Sequence, residues 1–242
     1  MVLNTSKTKS MLITTHQKLS RLPKTTLNCK IGQTALDSVS EECLLGVVVD
    51  QHLNWKSNTN SIYKKVNSRI ALLRRIKCYL PLSTRRTYYN AYILPHLDYC
   101  CSAWGTSANI YKLFKLQKRA VRIMMDSDYN YPTKELFRYL HIMPLPDRIK
   151  YKNMCLVFKS LKHMVPSYMT DMFRFVNQRH SRVTRASSQN MLDVPRAKLN
   201  VFKNTWSIQS AIEWNKLKIE VKSSETLVSF KSCYLRYYWE EF

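Results

Sequence analysis

NIYKLFKLQKRAVRIMM, residues 109–125, is the stretch whose periodicity sets the fold class. Ile110, Leu113, Phe114, Ala120, Val121 and Met124 fall on one side of a helix. Lys112, Lys115, Lys118, Arg119 and Arg122 fall on the other. The apolar side needs another element to cover it. The cationic side holds no acid at all, unlike an ordinary solvated face, where acids and bases intermingle. Such a stripe can follow a phosphate backbone and displace its condensed counterions.

The same period extends in both directions. Upstream, Ile62, Val66, Ile70 and Leu73 predict a helix over Ser57–Cys78, with Lys64 and Arg75 opposite the apolar stripe. Lys64, Lys65, Arg69, Arg74, Arg75, Lys77, Arg85 and Arg86 form a second basic cluster, a further candidate for phosphate contact. Pro81 should end that helix, Ser83 should cap another running to about Tyr92, and Pro95 should kink or briefly break it. Downstream, a short helix is expected from Pro132 through Leu140, and a longer one over Asp147–Met164 beyond the Pro144–Pro146 break. Two final helices are expected over Val201–Ile219 and Glu225–Trp239. Asn177–Asn190, with Arg179, Arg182 and Arg185 and no apolar period, reads as a linker.

The first fifty or so residues differ in character. Met11–Thr15 is a β-prone run, followed by a polar loop through Pro23. Leu27–Ile31 and Thr34–Val39 predict a hairpin turning at Gly32 and Gln33. Cys43–Val49 is almost wholly apolar and reads as a strand covered on both faces. The expected fold is therefore mainly α with a small N-terminal β-hairpin element.

Composition narrows the function. The 242 residues carry 39 Lys and Arg against 16 Asp and Glu, a formal net charge of +23. Self-repulsion on that scale calls for a polyanion, and nucleic acid is the commonest. An anionic membrane ranks lower, because no basic anchoring helix flanks a lipid-seeking segment. Only Gly32, Gly46 and Gly105 are glycines, which excludes a P-loop or a Rossmann turn. The seven cysteines include no C-x-x-C pair, so a zinc ribbon or thioredoxin-type motif is excluded too. The N-terminal MVLNTSKTKSM lacks a signal-peptide core, and apolar runs such as CLLGVVV are too short to span a bilayer. An intracellular chain, nuclear or cytoplasmic, with free thiols is the expectation.

Candidate chemistry is sparse. Metal-dependent phosphoryl transfer needs carboxylates converging on a divalent cation, and no Asp-Asp pair occurs. Asp126-Ser127-Asp128 suits a helix end and turn, and Glu41-Glu42 and Glu240-Glu241 suit solvated surface. His96, Asp98 and Cys100 lie in an apolar aromatic run where packing is the default. Tyr88, Tyr89 and Tyr92 could stack on bases, but core packing is the commoner role.

Leu44–Trp55, LLGVVVDQHLNW, and Tyr88–Gly105, YYNAYILPHLDYCCSAWG, carry a resemblance. In that order they resemble the region downstream of the polymerase active site in reverse transcriptases of non-LTR (LINE-type, jockey-like) retrotransposons. Leu3-Asn4 with Lys7-Thr8-Lys9-Ser10-Met11 is similar to the family's LN-x-x-KTK-x-M element, and Leu45-Gly46-Val47 to its primer-grip hairpin turn. IYKKVNSRIALLRRIKCYLP looks like a thumb helix, and LQKRAVRIMM, HIMPLPDRIKYKNMCLVFKSLKHMVPSYM, KLNVFKNTWSIQSAIEWNKL and LVSFKSCYL follow the family's C-terminal region.

The resemblance implies a palm-edge, primer-grip-like β segment over residues 1–56 and a thumb-like helical bundle over 57–176. A basic linker over 177–200 and a C-terminal helical region over 201–242 would come after them. Lys7 and Lys9 would support the nucleotide and palm, and Gly46 the primer end. The nucleic-acid contacts would come from Lys64, Lys65, Arg69, Arg74, Arg75, Lys112, Lys115, Lys118, Arg119 and Arg122. The partner would be RNA or DNA template–primer duplex, read by shape rather than base sequence, together with the upstream palm and fingers. The catalytic carboxylates, and the Mg²⁺ they hold in a full-length parent, would lie upstream of Leu3, leaving this chain without a cofactor and unable to polymerise alone. The alternative is a free-standing, non-catalytic RNA- or DNA-binding protein derived from a retroelement.

Overall fold

The computed structural model describes residues 4, 7–21, 29–178, 190–196 and 198–242, and it is mainly helical with small β-sheets. The N-terminal strands are short. β1 (Lys9–Ser10) is followed by α1 (His16–Leu19), whose start is capped by the Thr15 side chain accepting from the Lys18 N–H. Met11–Thr15, expected as a strand, joins no ladder; Thr14 N–H instead donates to the Gln51 carbonyl at 2.9 Å. β2 (Lys30–Ile31) and β3 (Thr34–Ala35) form the expected hairpin with Gly32 left-handed at φ 59°. β4 (Asp37–Ser38) leaves it to pair in parallel with β1.

The apolar run Cys43–Val49 is a hairpin rather than one covered strand. β5 (Glu41–Leu44) pairs antiparallel with β6 (Val47–Asp50) across a two-residue turn, Leu45-Gly46. Both turn residues have positive φ, 49° and 81°, the requirement of the primed turns that match strand twist. Leu45 is 83% exposed at the tip, so an unbroken apolar run here does not signify burial.

Side-chain capping ties the hairpin to the first long helix. The Asp50 carboxylate accepts from the backbone N–H groups of His52, Asn54 and Trp55, at 3.1, 3.2 and 2.8 Å. Asn58 Oδ1 accepts from Val48 N–H at 3.2 Å. That helix, α2 (Lys56–Ile76), buries Ile62, Val66, Ile70 and Leu73 as their spacing requires. Full burial of each such side chain contributes about 1.5–3 kcal/mol.

A 3₁₀ turn over Lys77–Tyr79 leads to α3 (Leu82–Tyr88), a π turn over Tyr89–Ile93, and α4 (Leu94–Asp98). Ser83 is not the cap: Pro81 takes the N-cap position and no side chain bonds there. Pro95 offers no N–H to the carbonyl four residues back, and the π turn absorbs that missing bond. α5 (Cys101–Trp104) is short; α6 (Ile110–Met125), α7 (Thr133–Tyr139) and α8 (Leu145–Leu161) come next. Pro146 lies in the first turn of α8, where its absent N–H is harmless, so the helix begins before the expected Asp147.

Then come α9 (Ser167–Thr170), α10 (Asn200–Lys203), α11 (Trp206–Lys216), α12 (Ile219–Lys222) and α13 (Leu227–Glu241), the last with a Thr226–Ser229 capping box. The helix expected over Val201–Ile219 is divided, because Thr205 adopts an extended conformation at the α11 N-cap.

Two apolar clusters meet along α8. Leu145 and Ile149 belong to the first, which packs α2, the α3–α4 region, α6 and α7 around Tyr89, Trp104 and Phe137. Met154, Val157 and Phe158 belong to the second, with Trp214, Phe230 and Tyr234. Its rings stack closely, with Phe158 and Phe230 centroids 4.6 Å apart. Of the expected linker, residues 179–189, with Arg179, Arg182 and Arg185, and residue 197 lie outside the described residues. Its described end is anchored to the second cluster, with Leu192 clamped by the Asn215 amide at 2.8 and 2.9 Å.

Candidate nucleic-acid interface

The position of α6 is fixed by a polar side chain inside the first cluster. Gln117 is completely buried; its amide donates to Tyr89 Oη at 2.9 Å and the Met143 carbonyl at 3.0 Å, and accepts from Leu145 N–H at 2.7 Å. One helix is thereby locked both to the α3–α4 region and to the start of α8. The expected apolar face omitted Leu116, Gln117 and Ile123, all of them buried.

α2 and α6 lie side by side and point the same way. Arg119 donates to Asn67 Oδ1 at 3.1 Å midway, and Lys77 pairs with Asp126 at their C-terminal ends. That pairing holds the Asp126 carboxyl below the usual carboxylate range. Asp126 itself has φ 53°, closing α6 in a left-handed cap. Along the outer seam of the two helices runs an open cleft of about 1120 Å³.

Arg74 and Lys77 of α2, with Lys112, Lys115, Lys118, Arg119 and Arg122 of α6, line this cleft, and among the described residues Asp126 is the one carboxylate lining it. Ring contacts hold several of these cations. Lys115 Nζ sits 4.7 Å from the Tyr111 centroid, Lys118 Nζ 4.5 Å from Phe114, and the Arg122 guanidinium 5.1 Å from Tyr129. Arg122 Nε is buried and has no hydrogen-bond partner. From Lys112 to Arg122 the helix rises about 15 Å, so the charges form a track rather than a point.

The structure therefore gathers Arg74, Lys112, Lys115, Lys118, Arg119 and Arg122 and leaves the other expected contacts apart. Lys64 and Arg75 point outward, opposite the buried stripe of α2. Lys65 and Arg69 occupy the other flank, toward His96. Burial first, and these two cations second, hold the His96 imidazole below its ordinary value. Lys7 is exposed, and Lys9 pairs with Glu42 at 2.7 Å. Gly46 turns the β5–β6 hairpin beside the Tyr99 ring, whose hydroxyl donates to the Leu45 carbonyl at 2.6 Å. Arg85 is structural, donating to the carbonyls of Leu80 and Met124, each at 2.8 Å.

The tyrosines are redistributed as well. Tyr89 is core, Tyr88 donates to the Arg69 carbonyl at 3.0 Å, and Tyr92 is exposed. Tyr63, Tyr111 and Tyr129 instead border the cleft. Tyr111 was legible in principle: with Lys115, Lys118 and Arg122 it follows helical steps along the cationic stripe. Asp98 pairs with Arg148 at 2.6 Å and Lys152 at 3.3 Å, and burial pushes the neighbouring Cys101 thiol up to about 11. Among the described residues no group of three His, Cys, Asp or Glu side chains is placed to hold a metal ion, and no helix is long and apolar enough to cross a membrane.

Compared with protein-family models, curated proteins and solved structures, the chain matches none.

Proposed function

We propose that this chain is the nucleic-acid-gripping portion of a non-LTR retroelement reverse transcriptase, and that it holds template–primer through the α2–α6 cleft. One observation carries the reading: the concave track of cations from two helices, with a single carboxylate at its end. A solvated surface of mixed charge would not concentrate one sign along a single groove. The Leu45-Gly46 hairpin turn and the helices after it agree with the order of motifs in such enzymes. Binding, not nucleotide joining, is the role of this chain, because it has no Asp-Asp pair of the kind that polymerase chemistry uses.

Setting aside Lys77, which Asp126 engages, the other six cleft cations pair with no carboxylate among the described residues and keep their charge for phosphates. Each phosphate neutralised contributes about −0.7 to −0.9 to the slope of log K against log salt. The expected slope is therefore about −4 to −5. Fluorescence anisotropy of a labelled template–primer, titrated at several salt concentrations, measures it. A flat salt response, or no binding at low salt, would overturn the proposal.

A further inference from the structure

The cleft carries more than charge. Tyr111 stands in the first turn of α6 and is 57% exposed; Tyr129 lies just beyond the end of α6 and is 85% exposed. Each ring holds a cleft cation, Lys115 on Tyr111 and Arg122 on Tyr129, and each keeps most of its remaining surface open to water. Holding a cation accounts for one part of each ring, and phosphate contact gives the open remainder no partner. A paired duplex keeps its base faces inside the stack, and such rings would find nothing there to cover them. An unpaired strand presents a π-face at every nucleotide, and grooves that take unpaired strands combine cations along the backbone with aromatic platforms for the bases.

We propose that the strand seated in the α2–α6 cleft is unpaired, with bases stacked on Tyr111 near one end and Tyr129 near the other. This rests on the cleft being a nucleic-acid site and specifies which part of a template–primer it takes: single-stranded template rather than paired stem. From Tyr111 to Asp126 the helix rises about 22 Å. At about 3.4 Å per nucleotide along one strand, that span accommodates about six nucleotides, and fewer where the strand is stretched. Lys118 and Arg119 lie between the two rings and follow the backbone. Either sugar fits this chemistry, so RNA and DNA are separated by the test.

The full chain is titrated by anisotropy with four labelled 12-mers: oligo(dT), oligo(U), an abasic sugar–phosphate strand, and a blunt duplex. The two single strands carrying bases are expected to bind about tenfold or more tighter than the abasic strand of equal charge. They should also bind tighter than the duplex. Tyr111→Ala and Tyr129→Ala should each weaken single-strand binding about tenfold. Neither substitution should alter the salt slope or the abasic affinity. Tyr111→Phe and Tyr129→Phe keep the ring and should retain binding; both side chains replaced are exposed, and circular dichroism confirms that each variant folds. Equal affinity for abasic and base-bearing strands, or alanine variants that bind single strands normally, overturns the stacking proposal and leaves the basic cleft standing. Binding to none of the four overturns both.

Discussion

Gln117→Leu is the substitution that tests the architecture behind the cleft. Leucine fills similar volume but cannot meet Tyr89 Oη, the Met143 carbonyl or the Leu145 N–H, which Gln117 engages at 2.9, 3.0 and 2.7 Å. All of this lies in a completely buried position, so water cannot replace the lost partners without opening the core. Each orphaned buried group costs about 1–3 kcal/mol, and the apolar gain from leucine offsets part of the sum. A net loss of about 3 kcal/mol is expected, which for a chain of this size lowers Tm by about 6–12 °C.

Thermal and urea unfolding followed by circular dichroism measure the loss. Tyr89→Phe removes only one of the three partners and should cost about 1 kcal/mol. Combined with Gln117→Leu it should cost less than the sum of the two, since the shared bond is lost only once. A Gln117→Leu protein within about 0.5 kcal/mol of the parent would refute the view that this amide locks α6 in place.

Three other outcomes are expected from the packing and the titrating groups. Gly105→Ala would bring a Cβ to 2.4 Å from the Cys101 carbonyl oxygen and 2.7 Å from Ile149 Cγ2, so it should destabilise the fold by about 2 kcal/mol or more. Gly32→Ala meets nothing within 4 Å and should cost only about 1 kcal/mol for its left-handed φ; equal effects in urea melts would contradict the packing at Gly105. Exposed Cys43, Cys78 and Cys100 should react promptly with a thiol reagent, while buried Cys101 and Cys155 react only on unfolding; mass spectrometry of alkylated peptides reads the order, and early labelling of Cys101 would refute it. Because His96 is held below its ordinary value, the unfolded chain takes up that proton first as pH falls. Its contribution is fully present above the usual histidine range and is lost as pH drops through that range toward the lowered folded value. His96→Gln should flatten the decline in stability between about pH 7.5 and 5, and an unchanged decline would show that His96 does not contribute to it.

The helical part of this fold is open to reading because its signals are local. The spacing of Ile62, Val66, Ile70 and Leu73 fixes the buried face of α2, and proline marks the starts of α3, α7 and α8. The strands are harder, since two-residue pairings such as β1 with β4 depend on contacts distant in sequence. Cys43–Val49 misleads because apolarity alone cannot distinguish a buried strand from a hairpin whose tip is exposed; glycine within the run is the cue that decides it. In the cleft, the α6 cations were legible from their helical spacing. The partition of the α2 cations was not, because it depends on which flank of α2 meets α6, and only the packing sets that. Arg74 and Lys77 fall on that flank, whereas Lys65 and Arg69 fall on the other. Tyr129 escapes a helical reading altogether, lying beyond the left-handed cap at Asp126.

Position, rather than net charge, is the heart of the account, and one paired comparison tests it. Lys112, Lys115 and Lys118 are replaced by glutamine in one protein, and Lys64, Arg75 and Arg86 in another, so both lose the same formal charge. The first set lines the cleft; the second is exposed outside it. Salt-dependent anisotropy with the same template–primer should show the slope reduced by about 2–3 in the cleft variant and unchanged in the other. Equal reductions in the two proteins would mean that the chain attracts nucleic acid through its overall charge and that the cleft has no special part in holding it.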